Sequence, residues 1–412
     1  MRVIADLHIH SKYSRATSKD MDVQHLEKYG KIKGLGLIGT GDFTHPQWLE
    51  ELKKYLSEDG SGILKTKEGF NFVLSAEVSN IYSQDGRLRK IHNVLLAPDF
   101  ETVEQVNEFL GKRGKLASDG RPIFGKMPCT ELVENLMSIS RDIEVIPAHI
   151  WTPWFSLFGS MSGFDTVEEC FQDQSKHIHA LETGLSSDPP MNWRVSMLDK
   201  YTLVSNSDSH SFWPWRIGRE ANVLDIDLSY KELVGAIRTG EGFVETIEVD
   251  PSYGKYHFDG HRNCDVCMSP REAIKHKDTC PKCGRKLTIG VLHRVEELAD
   301  RPEGYTPEGK PGYRTLMPLS ELISTAVGVK QLYSQKVNKI YYELVDKFGS
   351  ELDVLLNVGE AELLKVADEK LAKFILRNRK GEIEVEPGYD GVYGKAVLNA
   401  KKAKGQQKLL GY

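Results

Sequence analysis

Residues 3–14 read VIADLHIHSKYS, an apolar run that leads into a His-x-His pair, His8 and His10. Side chains along a strand repeat every two residues, so a strand over Val3–Leu7 delivers both imidazoles on one face at its end. The same sentence structure recurs downstream. Gly36–Gly39 runs into TGDFTH with Asp42 and His45, and Phe72–Ala76 runs into Glu77. His92 opens the run His92–Ala97, His149 follows Glu144–Pro147, and Tyr201–Ser205 runs into Asp208 and His210. With Ala180–Thr183 these make seven predicted strands. Amphipathic stretches such as Pro46–Leu56, Glu101–Leu110, Thr130–Ser138 and Pro190–Leu198 lie between them. Strand and helix in alternation predict a parallel sheet with helices outside. Periodicity alone leaves an open doubly wound sheet and a closed barrel equally available. The polar residues separate the two, because strand ends converge on one face of an α/β barrel and spread along the edge of an open sheet.

A single histidine at a strand end is commonly a satisfied structural residue. Six imidazoles among carboxylates are different, since gathering so many polar groups without a ligand is costly. The set reads as a metal cluster: His8, His10, Asp42, His45, Glu77, His92, His149, Asp208 and His210.

The motifs DLHIHSKYS, TGDFTH, SAEV, IPAHIW and SNSDSH, in this order over about residues 1–250, resemble the polymerase and histidinol phosphatase (PHP) superfamily. That resemblance implies a distorted seven-stranded α/β barrel with a two- or three-metal phosphoesterase site. A barrel of this kind with a four-cysteine ribbon and a helical C-terminal region resembles, more narrowly, the endonuclease Q family. The family implies hydrolysis of the DNA phosphodiester 5′ to uracil, hypoxanthine, xanthine or an abasic site, leaving a 3′-hydroxyl and a 5′-phosphate. By the same resemblance His8, His10, Glu77 and Asp208 hold one metal, and Glu77 bridges to a second held by His92 and His149. His210 holds a third in trinuclear members. The chain departs from the pattern after the second strand, where Gly41-Asp42-Phe43 replaces Thr-Asp-His, so a third metal requires Asp42 or His45 to substitute. Asp6 reads as a group that orients a histidine.

Phosphodiester hydrolysis needs an activated water and positive charge over phosphorus, which two metals about 3.5–4 Å apart supply. Histidine-rich ligation favours Zn²⁺ or Mn²⁺, with Mg²⁺ the oxygen-preferring alternative. His8, His10, Glu77, Asp208 and His210 are the expected catalytic set, with His210 or a metal-bound water assisting the leaving group. Aromatic residues follow two of the ligands: Trp151, Trp154 and Phe155 in HIWTPWFSLFG, and Phe212, Trp213 and Trp215 in SHSFWPWR. Flat apolar walls replace the stacking that an extruded base loses, so these are the expected base pocket. Arg216 and Arg219 are the expected phosphate contacts.

Six cysteines are present, and Cys264, Cys267, Cys280 and Cys283 form C-x2-C-x12-C-x2-C. Two such knuckles place four thiolates around one structural Zn²⁺ and leave no open coordination position. Beyond them, residues 296–318 are rich in proline and glycine and read as a linker. Helix-like stretches follow at Leu319–Thr325, Val337–Phe348, Leu352–Leu356 and Glu360–Arg377, broken at Gly349-Ser350 and Gly359. The expected organisation is a barrel over 1–250, a ribbon over 251–295, the linker, a DNA-contacting helical region over 319–390, and a basic tail over 391–412. In that tail Gln406, Leu409 and Tyr412 fit the Q-x-x-L-x-x-aromatic pattern of sliding-clamp peptides.

Lys+Arg is 54 against Asp+Glu 59, a net charge of −5, which excludes attachment to nucleic acid by bulk charge alone. No run approaches the roughly 18 apolar residues of a membrane span. From the apolar start at Val3 no signal peptide is expected. A cytoplasmic, nucleoid-associated monomer with DNA as its partner is expected. A histidinol-phosphate type phosphatase needs neither ribbon nor basic tail, and a polymerase-associated type exonuclease is separable only by substrate.

Overall fold

The computed structural model describes residues 1–397. Its main sheet has ten strands. The order runs Gly312–Thr315, Phe243–Glu248, Ala221–Asp225, Arg2–Asp6, Leu37–Gly39, Asn71–Gln84, Arg87–Ala97, Glu144–Pro147, with Leu64–Lys65 and Ile123–Gly125 also paired to Asn71–Gln84. The sheet curls like a half-barrel. A separate parallel pair, Ala180–Glu182 with Thr202–Val204, stands across the gap. Ile150 N–H donates to Glu182 O at 3.0 Å on one side of it, and His10 N–H donates to Ser209 O at 2.9 Å on the other. These bonds bring the ends of the Arg2–Asp6, Glu144–Pro147, Ala180–Glu182 and Thr202–Val204 strands together.

All seven predicted strands are present, but the sheet is mixed rather than parallel. Arg2–Asp6, Leu37–Gly39 and Asn71–Gln84 run parallel. Asn71–Gln84 then turns back on Arg87–Ala97 as a long antiparallel hairpin. The cause is local: Asp85 and Gly86, at φ of 52° and 72°, make a two-residue turn whose twist suits a hairpin and admits no crossover helix. Pairing Ser79 with His92 and Glu77 with Val94 puts Glu77 and His92 on the same face, one step apart along the ladder. Helices cover the outside at Val23–Lys33, Pro46–Tyr55, Phe100–Gly111 and Cys129–Ile139. Asp99 caps the third by accepting from Thr102 N–H.

Two further units follow. The ribbon pairs Asp259–His261 with Val266–Met268 over a small core of Val266, Ala273, Cys280 and Leu287. The helical unit is Leu319–Val327, Gln335–Phe348, Glu351–Leu356, Glu360–Leu363 and Glu369–Arg379 around its own core, with Leu322, Tyr341, Leu355 and Ile375 at its centre. One predicted helix, Glu360–Arg377, is two: Asp368 caps a new start by accepting from Leu371 N–H. Within the proline- and glycine-rich stretch, Gly312–Thr315 adds a parallel strand beside Phe243–Glu248.

A buried ion pair fastens the helical unit to the sheet unit. Lys33, 1% exposed, donates from Nζ to Glu351 Oε1 at 2.8 Å and to Pro214 O at 2.9 Å. Glu351 also accepts from Tyr341 Oη at 2.7 Å and from Leu319 N–H at 3.1 Å. Both Glu351 oxygens are therefore hydrogen-bonded, which such a pair needs if it is not to destabilise the fold.

Candidate metal centre

His8 and His10 leave the end of the first strand side by side, and Asp208 reaches them from the loop after Thr202–Val204. His8 Nε2 lies 3.6 Å from Glu77 Oε2 and 3.7 Å from Asp208 Oδ1. His10 Nε2 lies 3.2 Å from Glu77 Oε2 and 3.1 Å from Asp208 Oδ1. The other Glu77 oxygen, Oε1, lies 2.6 Å from His92 Nδ1 and 3.2 Å from His149 Nε2. Two donor groups thus share one carboxylate: His8, His10, Glu77 and Asp208, and Glu77, His92 and His149. Buried His8 Nε2, His10 Nε2 and Asp208 Oδ1 face one another without a hydrogen-bond partner. Buried polar atoms left unmade are expensive, and donors converging this way fit divalent cations. The residues present therefore fit the metals that the sequence motifs imply.

The opposite ring nitrogens are held from behind. Glu182 Oε1 and Oε2 both lie 3.1 Å from His8 Nδ1, and Glu182 also accepts from His149 N–H at 2.9 Å and Asn206 Nδ2 at 2.8 Å. Asp42 Oδ1 lies 3.0 Å from His10 Nδ1, while its Oδ2 accepts from the Ser11 N–H and hydroxyl, both at 2.6 Å. A carboxylate behind a ligating imidazole fixes the ring and turns its far nitrogen to the metal. Burial opposes charge on His8, yet the Glu182 and Glu77 carboxylates outweigh it and hold its pKa well above the usual value. On His92 burial wins over Glu77 and pushes the pKa down to about 4.

The backbone is strained at three of these positions. Asp42, His149 and Asp208 have φ of 48°, 32° and 45°, a region L-residues seldom adopt. Such strain persists only where the surroundings over-determine it, and it clusters at functional sites. Gly184 shows how tightly His149 is held, since a Cβ there would stand 2.5 Å from His149 Cβ.

The structure brings six expected ligands together and places others elsewhere. Asp42 is spent on orienting His10, and His45 stacks on Tyr13 at 4.3 Å with Nδ1 buried and unpartnered. Neither joins a donor group. His210 sits with its ring 4.3 Å from that of His10, its Nδ1 3.1 Å from Asp208 O. Asp6 does not orient a histidine; it accepts from Ser207 N–H and Oγ and from Gly218 N–H, pinning the loop that carries Asp208. The neighbouring Leu7 N–H donates to Asn206 Oδ1 at 2.8 Å, so two successive residues of the strand end hold this loop.

Among the aromatic residues, Trp151 is 1% exposed and donates its indole N–H to Asn192 at 2.8 Å, and Phe212 is 5% exposed beside Tyr29. Both are core residues. Phe155 lies against the His92 ring at 4.7 Å, and Trp213 stacks on Trp215 at 5.2 Å. Trp154 is 44% exposed and, with Tyr256, Lys255 and Tyr393, lines a cavity of about 340 Å³ that also contains Thr152. The Thr152 hydroxyl lies 3.2 Å from His149 Nδ1, so one wall residue of this cavity touches the ring nitrogen of His149 that points away from Glu77. Arg216 is exposed, and Arg219 is half-buried with Nη2 on Ser207 O at 3.2 Å. Two residues went unread in the sequence. Glu182 ends a strand without a motif around it, and Arg121, in the loop before Ile123–Gly125, donates to Glu77 Oε2 at 3.0 Å.

In the ribbon, Cys264, Cys280, Cys283 and His261 bring their donor atoms within 4.8 Å of one another. Cys267 is not among them and is exposed. Gln406, Leu409 and Tyr412 lie outside the described residues.

Fold and site together define the class: a metal-dependent hydrolase built on a curled α/β sheet. The chain superposes on the lesion-specific endonuclease PfuEndoQ of Pyrococcus furiosus with a TM-score of 0.86 and 33% identity, over 96% of this chain and 95% of that one. It superposes equally fully on an endonuclease Q bound to a 27-mer duplex substrate with an abasic lesion at the active site, with a TM-score of 0.84 and 32% identity over 98% and 100% of the two chains. The chain belongs to the endonuclease Q family. Residues 318–382 match the family of the MJ0043 C-terminal domain. Protein MJ0043 of Methanocaldococcus jannaschii is 35% identical over 260 residues, 62% of this chain, a match that spans 32% of that relative's own length.

Proposed function

We propose that the chain is a DNA repair endonuclease that hydrolyses the phosphodiester 5′ to a deaminated base, whether uracil, hypoxanthine or xanthine, or to an abasic site, leaving a 3′-hydroxyl and a 5′-phosphate. One observation carries this reading: the donor groups that share Glu77 stand on a fold that matches, end to end, a family member holding an abasic duplex at its active site.

The chain's own residues divide the work. His8, His10, Glu77 and Asp208 would hold one divalent ion, and Glu77, His92 and His149 a second, with His210 beside the first. Bound there, such ions supply positive charge over the phosphoryl group and lower the pKa of a coordinated water. Zn²⁺ or Mn²⁺ suits the imidazole share of the donors, and Mg²⁺ the carboxylate share. Glu182 and Asp42 keep His8 and His10 turned outward. Arg121, 30% exposed beside Glu77, adds a fixed cation at the mouth where a phosphate would approach. The cavity walled by Trp154 and Tyr256 takes an extruded base, stacking in place of the helix. Arg216 and Arg219, the latter held on Ser207 O in the loop that carries Asp208, are the proposed phosphate contacts, and the stacked pair Trp213 and Trp215 is proposed to bound the DNA-binding face.

The organisation proposed is a catalytic unit over 1–250, a zinc ribbon over 251–295, a connection over 296–318 and a DNA-contacting helical unit over 319–390. The proposed setting is a monomer acting on nucleoid DNA in the cytoplasm; among the described residues no helix is long and apolar enough to cross a membrane. The Gln406, Leu409 and Tyr412 peptide is proposed as a sliding-clamp tether.

End-labelled duplexes carrying one uracil, hypoxanthine or abasic site, incubated with Mn²⁺, Mg²⁺ or Zn²⁺, test the reading. The expected product is a single cut just 5′ to the lesion, absent from an undamaged control. Asp208→Ala should slow it by at least about 10²–10³-fold, the scale of losing one preorganised electrostatic group. A ladder from the ends would mean an exonuclease, and turnover of a small phosphate ester alone would mean a phosphatase.

A further inference from the structure

We infer that the ribbon zinc is held by His261, Cys264, Cys280 and Cys283, and that Cys267 stays off the metal as an exposed thiol beside it. The cysteine pattern alone suggests otherwise, because Cys264-x2-Cys267 and Cys280-x2-Cys283 form two matching knuckles. His261-x2-Cys264 has the same spacing, so the chain contains two overlapping first knuckles and only the fold chooses between them.

The choice follows from strand geometry. Asp259–His261 pairs antiparallel with Val266–Met268, in the register His261 to Val266 and Gly260 to Cys267. Val266 is 6% exposed in the ribbon core with Ala273, Cys280 and Leu287, and Met268 packs against that core. Side chains alternate along a strand, so Cys267, between two inward residues, faces outward. Cys264 precedes the strand and packs on the core side next to Cys280. His261 closes the group, its Nδ1 3.4 Å from Cys283 Sγ. The second knuckle is built as a tight turn, with Cys280 N–H donating to Arg285 O at 2.7 Å and Gly284 N–H to Cys280 O at 2.9 Å. Lys282 Nζ reaches back to Cys264 O at 2.7 Å and ties the two knuckles together.

Three thiolates and a neutral imidazole satisfy tetrahedral Zn²⁺ as well as four thiolates do. The difference is electrostatic and chemical. The site carries one negative charge fewer, which lessens repulsion of a nearby phosphate backbone. The fifth donor, Cys267, is left accessible to thiol chemistry that does not touch the metal.

The test uses the full zinc-loaded chain. A mercurial that strips only thiolate-bound metal should release one zinc from the wild type and from Cys267→Ser, and none from His261→Ala or Cys264→Ser. A chromogenic disulfide should find one fast-reacting thiol per native chain, absent in Cys267→Ser, and its reaction should release no zinc. In the cobalt-loaded protein, Cys267→Ser should leave the thiolate-to-metal charge-transfer band unchanged. A band reduced by one thiolate's share, zinc lost with Cys267→Ser, zinc kept with His261→Ala, or no fast thiol in the wild type would each overturn the assignment. Because the thiol count is read on the unmutated protein, a variant that fails to fold does not blunt the test.

Discussion

The metal cluster and the ribbon both gather histidines and acidic or thiol donors, but they stand in opposite relations to the fold. Around the cluster the fold makes the site. His10 and Glu77 are fully buried, strands of up to 14 residues carry the donors, and Glu182 and Asp42 hold the rings before any ion arrives. In the ribbon the site makes the fold. Its core cluster holds four buried apolar residues, its strands are three residues long, and four of its five candidate donors are partly exposed or exposed. A core so small cannot offset the entropy of ordering its own loops without a metal. Metal removal should therefore silence one region and dissolve the other.

The largest expected effect breaks the comparison most directly. Structural zinc in small domains contributes on the order of 10–16 kcal/mol of apparent binding free energy, which is folding free energy. A strong chelator should open residues 259–288 to trypsin at Arg262, Lys275 and Lys282, while the far-ultraviolet circular dichroism of the remainder persists. A ribbon that stays protease-resistant without metal would place its stability in packing and dissolve the contrast.

A smaller effect sharpens the view of the cluster. Glu182→Gln keeps the shape but weakens the charge behind His8, and should cost about 10–100-fold in metal affinity or cleavage rate with little change in melting temperature. A large loss of stability with unchanged metal affinity would make Glu182 a structural residue only.

The smallest concerns the floor beneath the cluster. Glu248 is fully buried, accepts from the Ser205 hydroxyl at 3.0 Å and the Thr183 hydroxyl at 3.3 Å, and burial pushes its pKa up from 4.5 to about 8. Between those values the folded chain holds a proton that the unfolded chain has released, so stability falls as pH rises through that window. Melting temperatures from pH ~5 to ~8 should decline less in Glu248→Gln than in the wild type. Parallel declines would show that the carboxyl is charged in the fold.

How much of this was legible depends on whether residue type alone carries the information. Glu144–Pro147 ends where its apolar run ends, and the His-x-His pair projects as strand periodicity requires. The antiparallel hairpin was signalled by Asp85-Gly86, yet short apolar runs on either side masked its length. Asp42 and His45 illustrate a deeper limit. An aspartate that ligates a metal and one that orients the ligating ring are the same residue at the same strand end, and only the direction of its two oxygens separates them. Glu182 carried no motif because its role is to face inward, where a lone carboxylate looks like any other. The ribbon shows the limit of spacing, since two overlapping knuckles of equal length cannot be ranked by counting.

The junction at Lys33 bears on how the chain can be divided. Its ammonium ties three stretches distant in sequence: the end of an early helix, the Pro214 carbonyl a few residues beyond His210, and Glu351 at the heart of the helical unit. Replacing Glu351 by alanine in the intact chain would keep that cation enclosed with no carboxylate to answer it, a penalty of about 3–5 kcal/mol. A chain cut before the helical unit would lose the carboxylate and the cover over Lys33 together. The helical unit is thus no detachable accessory: the integrity of the segment behind His210 is mortgaged to residues more than a hundred positions away.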